Sequence, residues 1–350
     1  MTPRQRTAGF CARFGLRVPI LQAPMAGASP PGLAAAVANA GGLGGYGALL
    51  HDAAGIAAWS AAFRAASNGA VQINLWVPDP DPPRDPAREA ATLAALAAWG
   101  PAPPPLGEGP WIQDFNAQCE ALLAAAPPIV SSIMGLFPAP FVERLKARGI
   151  AWFACVTTPA EARAAEAAGA DAVVAQGAEA GGHRGTFEAA RAEAQSLGLF
   201  VLLPQVADAV RLPVIATGGI MDGRGAAAAL ALGASAVQLG TAFLRCPEAA
   251  IAPAWAERIG RAAPEELVLT RAFSGRLGRG IANDYVRGAP EPLPYPLQRV
   301  ATGPMREEAA KAGDPERMQM WAGQGAALAR AEPAAEVVRR VWSEAEAILA

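Results

Sequence analysis

Eight short, largely apolar runs recur along this chain, each closed by glycine, proline or a polar residue and separated by alanine-rich stretches of helical length. The runs are VPILQAP (18–24), LGGYGALL (43–50), VQINLWVP (71–78), IVSSIMG (129–135), AWFACVT (151–157), DAVVAQG (171–177), VIATGGI (214–220) and AVQLGTAFL (236–244). Several are apolar almost throughout, as strands covered on both faces have to be. Helical segments are expected at 32–40, 53–66, 84–99, 139–148, 159–168, 203–211 and 223–232. Pro159 suits a first helical turn, where its missing N–H costs nothing, and Gly149, Gly169 and Gly233 stand where a left-handed cap ends a helix. Alternation of this kind demands a parallel sheet. Eight units predict an α/β fold of the (β/α)8 TIM barrel type, which leaves no sheet edge to protect. A doubly wound open sheet is the second architecture compatible with the pattern.

The alternation breaks twice. Residues 79–115 place Pro-rich stretches on either side of a helical segment, which reads as a rigid surface excursion or as part of a cover over the active site. About a hundred residues then follow the eighth run, more than one closing helix requires. Residues 1–246 are therefore expected to form the barrel. Residues 247–350 are expected to form a helical lid region packing on it, with extra helices and a small second lobe shared with the insertion.

At 52% hydrophobic and 17% charged residues, the chain has ample material for a core of this size and too little charge for intrinsic disorder. A formal net charge of −2 and a pI near 5.9 provide no electrostatic footprint for nucleic acid or an anionic membrane. Cys11, Cys119, Cys155 and Cys246 lie far apart and read as core thiols. The N-terminus has basic residues but no apolar signal core before Pro19, which points to a cytoplasmic protein. The most apolar stretch, 226–244, is interrupted by Gly233, Ser235, Gln238, Gly240 and Thr241 and reads as a buried helix and strand, not a membrane span.

The glycine run GGLGGYG (41–47) matches G-x-G-x-x-G, but its glycines follow a helix and open a strand, the reverse of the dinucleotide fingerprint. It reads as a helix-to-strand turn. No Walker A, H-E-x-x-H or G-x-S-x-G sequence occurs, and two histidines exclude a His-rich metal site. His51, beside Asp52 at a helix start, reads as a loop residue. His183 lies just past the sixth strand among glycines that let backbone approach a ligand, and is the candidate for chemistry. Thr217 to Ile220 and Gln238 to Thr241 end the seventh and eighth strands, where glycine amides can hold a phosphate. Gln22, Met25, Asn74 and Gln176 add uncharged polar and thioether groups at the same mouth, a set suited to a flavin ring.

QAPMAG (22–27), AVANAGGLGGYG (36–47), ADAVVAQGAEAGGHRG (170–185), LLPQVADAV (202–210), PVIATGGIMDGRGAAAALALGASAVQLGTAFL (213–244) and WAGQ (321–324) together resemble the nitronate monooxygenase family, formerly the 2-nitropropane dioxygenases. The resemblance spans almost the whole chain. It implies an FMN-binding barrel that oxidises alkyl nitronates, such as propionate-3-nitronate, with O2 to a carbonyl compound and nitrite; separately, a monomer or homodimer is expected. Carried over by position, the FMN contacts are Asn74, Gln176, Gly181, Gly218, Gln238, Leu239, Gly240 and Thr241, and Gln22, Ala23, Pro24, Met25, Gly182 and Gly219 are expected to line the same cofactor site. Trp321 and Gln324 are expected to pack against the flavin side. His183 matches the catalytic histidine, as a base or as the group that orients substrate, and the reading allows it to be cationic or a neutral hydrogen-bonding ring. Ser274 and Tyr295 resemble positions that close the pocket, and Ser131 and Met134 are expected beside the substrate.

One departure is plain. Better-known members carry an aromatic and histidine-containing segment at the end of strand four, where this chain has VSSIMG (130–135). The pocket near Ser131, Ser132 and Met134 is therefore expected to be less basic. Two other readings share the barrel. FMN-dependent NAD(P)H reductases of enoyl-acyl-carrier-protein or quinone type also resemble the glycine-rich histidine motif, and a non-catalytic flavin-binding barrel would keep the cofactor site alone.

Overall fold

A computed structural model describes all 350 residues. In chain order the strands are β1 (Ile20–Gln22), β2 (Gly44–Gly47), β3 (Val71–Trp76), β4 (Ile129–Ile133), β5 (Ala151–Val156), β6 (Ala172–Gln176), β7 (Gly182–His183), β8 (Val214–Thr217), β9 (Ala236–Leu239), β10 (Leu267–Thr270) and β11 (Gly278–Ile281). Eight of them form one parallel sheet in the order β1-β9-β8-β6-β5-β4-β3-β2. A parallel bridge between Leu21 and Leu43 brings its two ends together. The result is the (β/α)8 barrel that the alternation predicts.

The helices are α1 (Pro3–Phe14), α2 (Pro31–Asn39), α3 (Ala53–Ala66), α4 (Pro86–Leu96), α5 (Phe115–Ala125), α6 (Ala139–Ala147), α7 (Pro159–Ala167), α8 (Leu199–Ala209), α9 (Gly223–Ala231), α10 (Pro253–Ile259), α11 (Asp284–Gly288), α12 (Leu297–Ala301), α13 (Gly303–Ala312) and α14 (Ala334–Leu349). Their ends are set locally. Asp52 accepts from the Gly55 N–H at 2.8 Å, Thr158 from Glu161 at 3.1 Å and Asp222 from Arg224 at 3.0 Å, each satisfying an orphan donor of a first turn. Gly149, Gly169 and Gly233 close α6, α7 and α9 at φ +67°, +92° and +116°.

Outward strand residues such as Ile73, Leu75, Val130 and Val237 pack on Leu33, Ile56, Leu122 and Leu230 of the helices. Inside the barrel, Leu21, Leu43, Ile129, Val174 and Ile215 form a second apolar layer. Helix α1 closes its floor, with Phe14 edge-on to Phe153 at 4.8 Å. In β2 the glycines are demanded by crowding: a Cβ on Gly45 would collide with the Gln22 carbonyl. The run GGLGGYG is thus a tightly packed strand entry, as its order implies.

The chain beyond β9 has two destinations. Helix α14 packs on α9 and α2, burying Val337, Val338 and Val341, and so stands where the eighth barrel helix belongs. The residues between lie over the C-terminal mouth, where β10-β11-β7 make a small antiparallel sheet. Leu96 and Leu106 of the Pro-rich insertion share one apolar cluster with Phe273, Tyr285, Leu293, Leu297 and Met305. No helix is long and apolar enough to cross a membrane.

Candidate active site

The pleat of β3 turns Gln72, Asn74 and Trp76 toward the barrel axis and Ile73 and Leu75 toward the helices. Gln72 Nε2 donates to the Gln22 carbonyl at 3.0 Å and to Gln238 Oε1 at 2.9 Å, while its own buried Oε1 has no donor. Asn74 Nδ2 donates to Ser131 Oγ at 3.1 Å. Gln22, fully buried, spends its amide on Ser29 Oγ and the Gly45 N–H, both at 3.0 Å. Gln176 donates to the His183 carbonyl at 3.0 Å and accepts from the Gly185 N–H at 2.8 Å. Gln22 and Gln176 therefore brace the mouth, whereas Asn74 and Gln238 keep amide atoms unspent.

On the other side of the mouth lies a cradle of backbone donors. Gly218 and Gly219 sit at φ +117° and +69°, conformations that L side chains resist. The N–H groups of Gly181, Gly218, Gly219 and Gly240 have no acceptor in the protein. Three contacts from one further segment, residues 322–324, fix this cradle. Gly181 approaches Ala322 too closely for any Cβ, Thr241 Oγ1 accepts from the Gly323 N–H at 2.9 Å, and Gln324 N donates to the Glu179 carbonyl at 3.0 Å. A Cβ on Gly240 would meet Ala23 Cβ at 3.5 Å and Met25 Sδ at 3.7 Å, so Ala23, Pro24 and Met25 border the cradle, as does Leu239 behind it. Converging unpaired amides in a partly open site fit a phosphate group. The helix α9 N-terminus is not part of this, because Asp222 already caps it.

His183 stands where β7 pairs with β11, opposite Gly278, with Gly182 opposite Arg279. Its Nε2 lies 2.8 Å from Ser274 Oγ. Trp76 and Trp321 flank the ring at centroid distances of 4.8 and 5.1 Å, and Trp76 stacks on Tyr295 at 4.9 Å. Met134, at φ +72°, packs against Trp76 and Tyr295. Arg276, 1% exposed, pairs with Asp79 and donates to the Thr186 carbonyl. His183 is half-buried as a residue, and burial of its ring, with after it the charges of Arg276, Arg299 and Arg306, pushes its pKa down to about 3. The ring is neutral at physiological pH.

Met134, Ser274 and Tyr295 thus gather around His183, whereas Ser131 lies one layer deeper with Asn74. A cavity of about 310 Å³ opens beside them, lined by Asp79, Trp111, Ile112 and Tyr295 among others, so the Pro-rich insertion reaches the mouth. His51 bonds Tyr46 Oη at 2.7 Å, beside Trp59 on the helical side, as a loop residue should. All four cysteines are free and buried, and burial holds the thiols of Cys119, Cys155 and Cys246 up at about 12, so they are inert. The sequence reading missed Gln72, Trp76 and Arg276. Period-two alternation from Asn74 was enough to find the first two; nothing local marks Arg276.

The profile of the family described as nitronate monooxygenase matches residues 10–344. A nitronate monooxygenase of Pseudomonas aeruginosa is 43% identical over 349 residues, covering 97% of this chain and 99% of that one. A nitronate monooxygenase of Paraburkholderia phytofirmans is 41% identical, covering 98% and 96%. Among solved structures, a nitroalkane oxidase from Streptomyces ansochromogenes is similar with a TM-score of 0.89 at 38% identity, over 97% of this chain and all of that one. FabK from Thermotoga maritima is similar with a TM-score of 0.74 at 28% identity, covering 97% and 96%. The chain is an oxidoreductase and belongs to the nitronate monooxygenase family.

Proposed function

We propose that this enzyme oxidises small alkyl nitronates, propionate-3-nitronate among them, with O2 to a carbonyl compound and nitrite, using FMN. The observation that carries the reading is the meeting, at one barrel mouth, of a cradle of unpaired glycine amides with a neutral histidine walled by aromatic rings. Gly181, Gly218, Gly219, Gly240 and Thr241 would hold the FMN phosphate. Asn74 and Gln238 would meet its polar atoms, and Ala23, Pro24, Met25 and Trp321 its apolar surface. FMN, when bound, supplies the electron-accepting and O2-reducing chemistry.

The protein's part is positioning and electrostatics. A nitronate is already an anion, so its binding requires no base. Neutral His183 offers it a polar ring edge, fixed through Nε2 by Ser274. The attraction for its charge comes from Arg276, Arg299 and Arg306, with Asp79 partly offsetting the first of these. Trp76, Tyr295 and Met134 exclude water, which strengthens each of these interactions.

The test uses the FMN-loaded protein, with nitrite and NAD(P)H followed separately. Nitrite release that depends on nitronate and O2, with no NAD(P)H consumption, is the expected result. Oxidation of NAD(P)H without any nitronate turnover would instead make the chain a flavin reductase.

A further inference from the structure

We propose that Trp76 is a specificity-determining residue whose indole N–H holds an oxygen of the substrate's nitronate group beside His183. The assignment rests on the site being a nitronate site, as argued above. Trp76 is 8% exposed and its Nε1 has no acceptor in the protein. Buried indole N–H groups normally have a partner, so an orphan at a binding mouth calls for one. The placement of the side chain follows from the strand. Gln72 and Asn74 on the same pleat face point to the axis, and Trp76 completes the row at the rim.

The surroundings select the partner's charge. The Arg276 guanidinium carbon lies 6.0 Å from the Trp76 ring centre, and Arg276 Nε is likewise buried without an acceptor. Of the three acids that line the adjoining cavity, Asp79, Asp81 and Glu108, the first is engaged by Arg276. An acceptor reaching the Trp76 N–H beside His183 therefore meets a positive field from Arg276, Arg299 and Arg306, which favours an oxyanion over a neutral carbonyl. Trp76 also stacks on Tyr295 within 8° of parallel, which locks the indole in place.

The experiment compares FMN-loaded wild type with Trp76→Phe, which removes the N–H and keeps a ring against Tyr295. With propyl-2-nitronate, KM is expected to rise roughly 10-fold or more, as for loss of one hydrogen bond to a charge, with kcat much less affected. Inorganic nitrate, a planar oxyanion titrated through its effect on flavin absorbance, is expected to bind more weakly by a similar factor. Replacing Trp76 with benzothienylalanine, which has sulfur in place of N–H and nearly the same shape, should reproduce both effects and separates the donor from packing. Unchanged KM and nitrate affinity in the benzothienyl variant overturn the proposal, as does loss of kcat alone. If wild type turns over no nitronate, the proposed activity fails, while the nitrate titration still decides the role of Trp76.

Discussion

The neutrality of His183 has two measurable consequences. His183→Asn is expected to keep FMN bound while nitrite formation falls roughly 10²-fold or more, the scale for a positioned proton-transfer or orienting group. An unchanged kcat/KM would remove the ring from the reaction. The second consequence concerns stability. The folded pKa of about 3 lies below the ordinary 6.5, so on acidification the unfolded chain takes up a proton before the folded one does. The stabilisation from keeping the ring neutral is complete above about 6.5 and drains away as pH falls toward 3. In FMN-free protein, His183→Gln should flatten the decline of Tm across that window, and an unaltered slope would show that the ring is not shielded. His183 was legible because its glycine-rich setting is local. Arg276 was not, since its pairing with Asp79 spans 197 positions. The sequence reading left the charge of the site open between a cationic and a neutral histidine; the fold assigns it to arginines that no motif announces.

At the scale of elements, the strand ends carry the site and were the hardest boundaries to read. The runs at 129–135, 214–220 and 236–244 continue as apolar or glycine-rich sequence beyond β4, β8 and β9, which stop at Ile133, Thr217 and Leu239. The surplus residues are those that line the mouth: Met134, Gly218, Gly219, Gly240 and Thr241. Apolar periodicity cannot separate a buried strand from a ligand-lined continuation of it. Helix α5 went unread because it follows the Pro-rich stretch, and β7 because two residues become a strand only by pairing with β11. Gly218→Val bears on the cradle itself. At φ +117° a β-branched residue is strained and the backbone must turn away. FMN affinity is expected to drop by at least about tenfold, read by equilibrium dialysis, with far-UV circular dichroism retained. Full FMN retention would move the phosphate elsewhere.

For the whole molecule, strict alternation was enough to give the barrel, because eight βα units admit few closed arrangements. The fate of the last hundred residues was less legible, since the lobe over the mouth is assembled from two segments far apart in sequence and from neither alone. Helix α14 ties the far end of the chain back to the barrel. Deleting residues 332–350 uncovers the faces of α9 and α2 on which Val337, Val338 and Val341 are buried. At about 1.5–3 kcal/mol for each such side chain, against a net stability of about 5–15 kcal/mol, the truncated chain is expected to lose its cooperative thermal transition. A transition within a few degrees of the full chain's would make α14 an accessory. The pairing of His183 with Gly278 has a further meaning at this scale. It makes the His183 ring a part of the cover as much as of the vessel, since β7 belongs to the sheet over the mouth and Ser274 comes from the same cover. The station of the ring is thus set from two sides at once, by the barrel through the Gln176 bond to the His183 carbonyl and by the cover through Ser274.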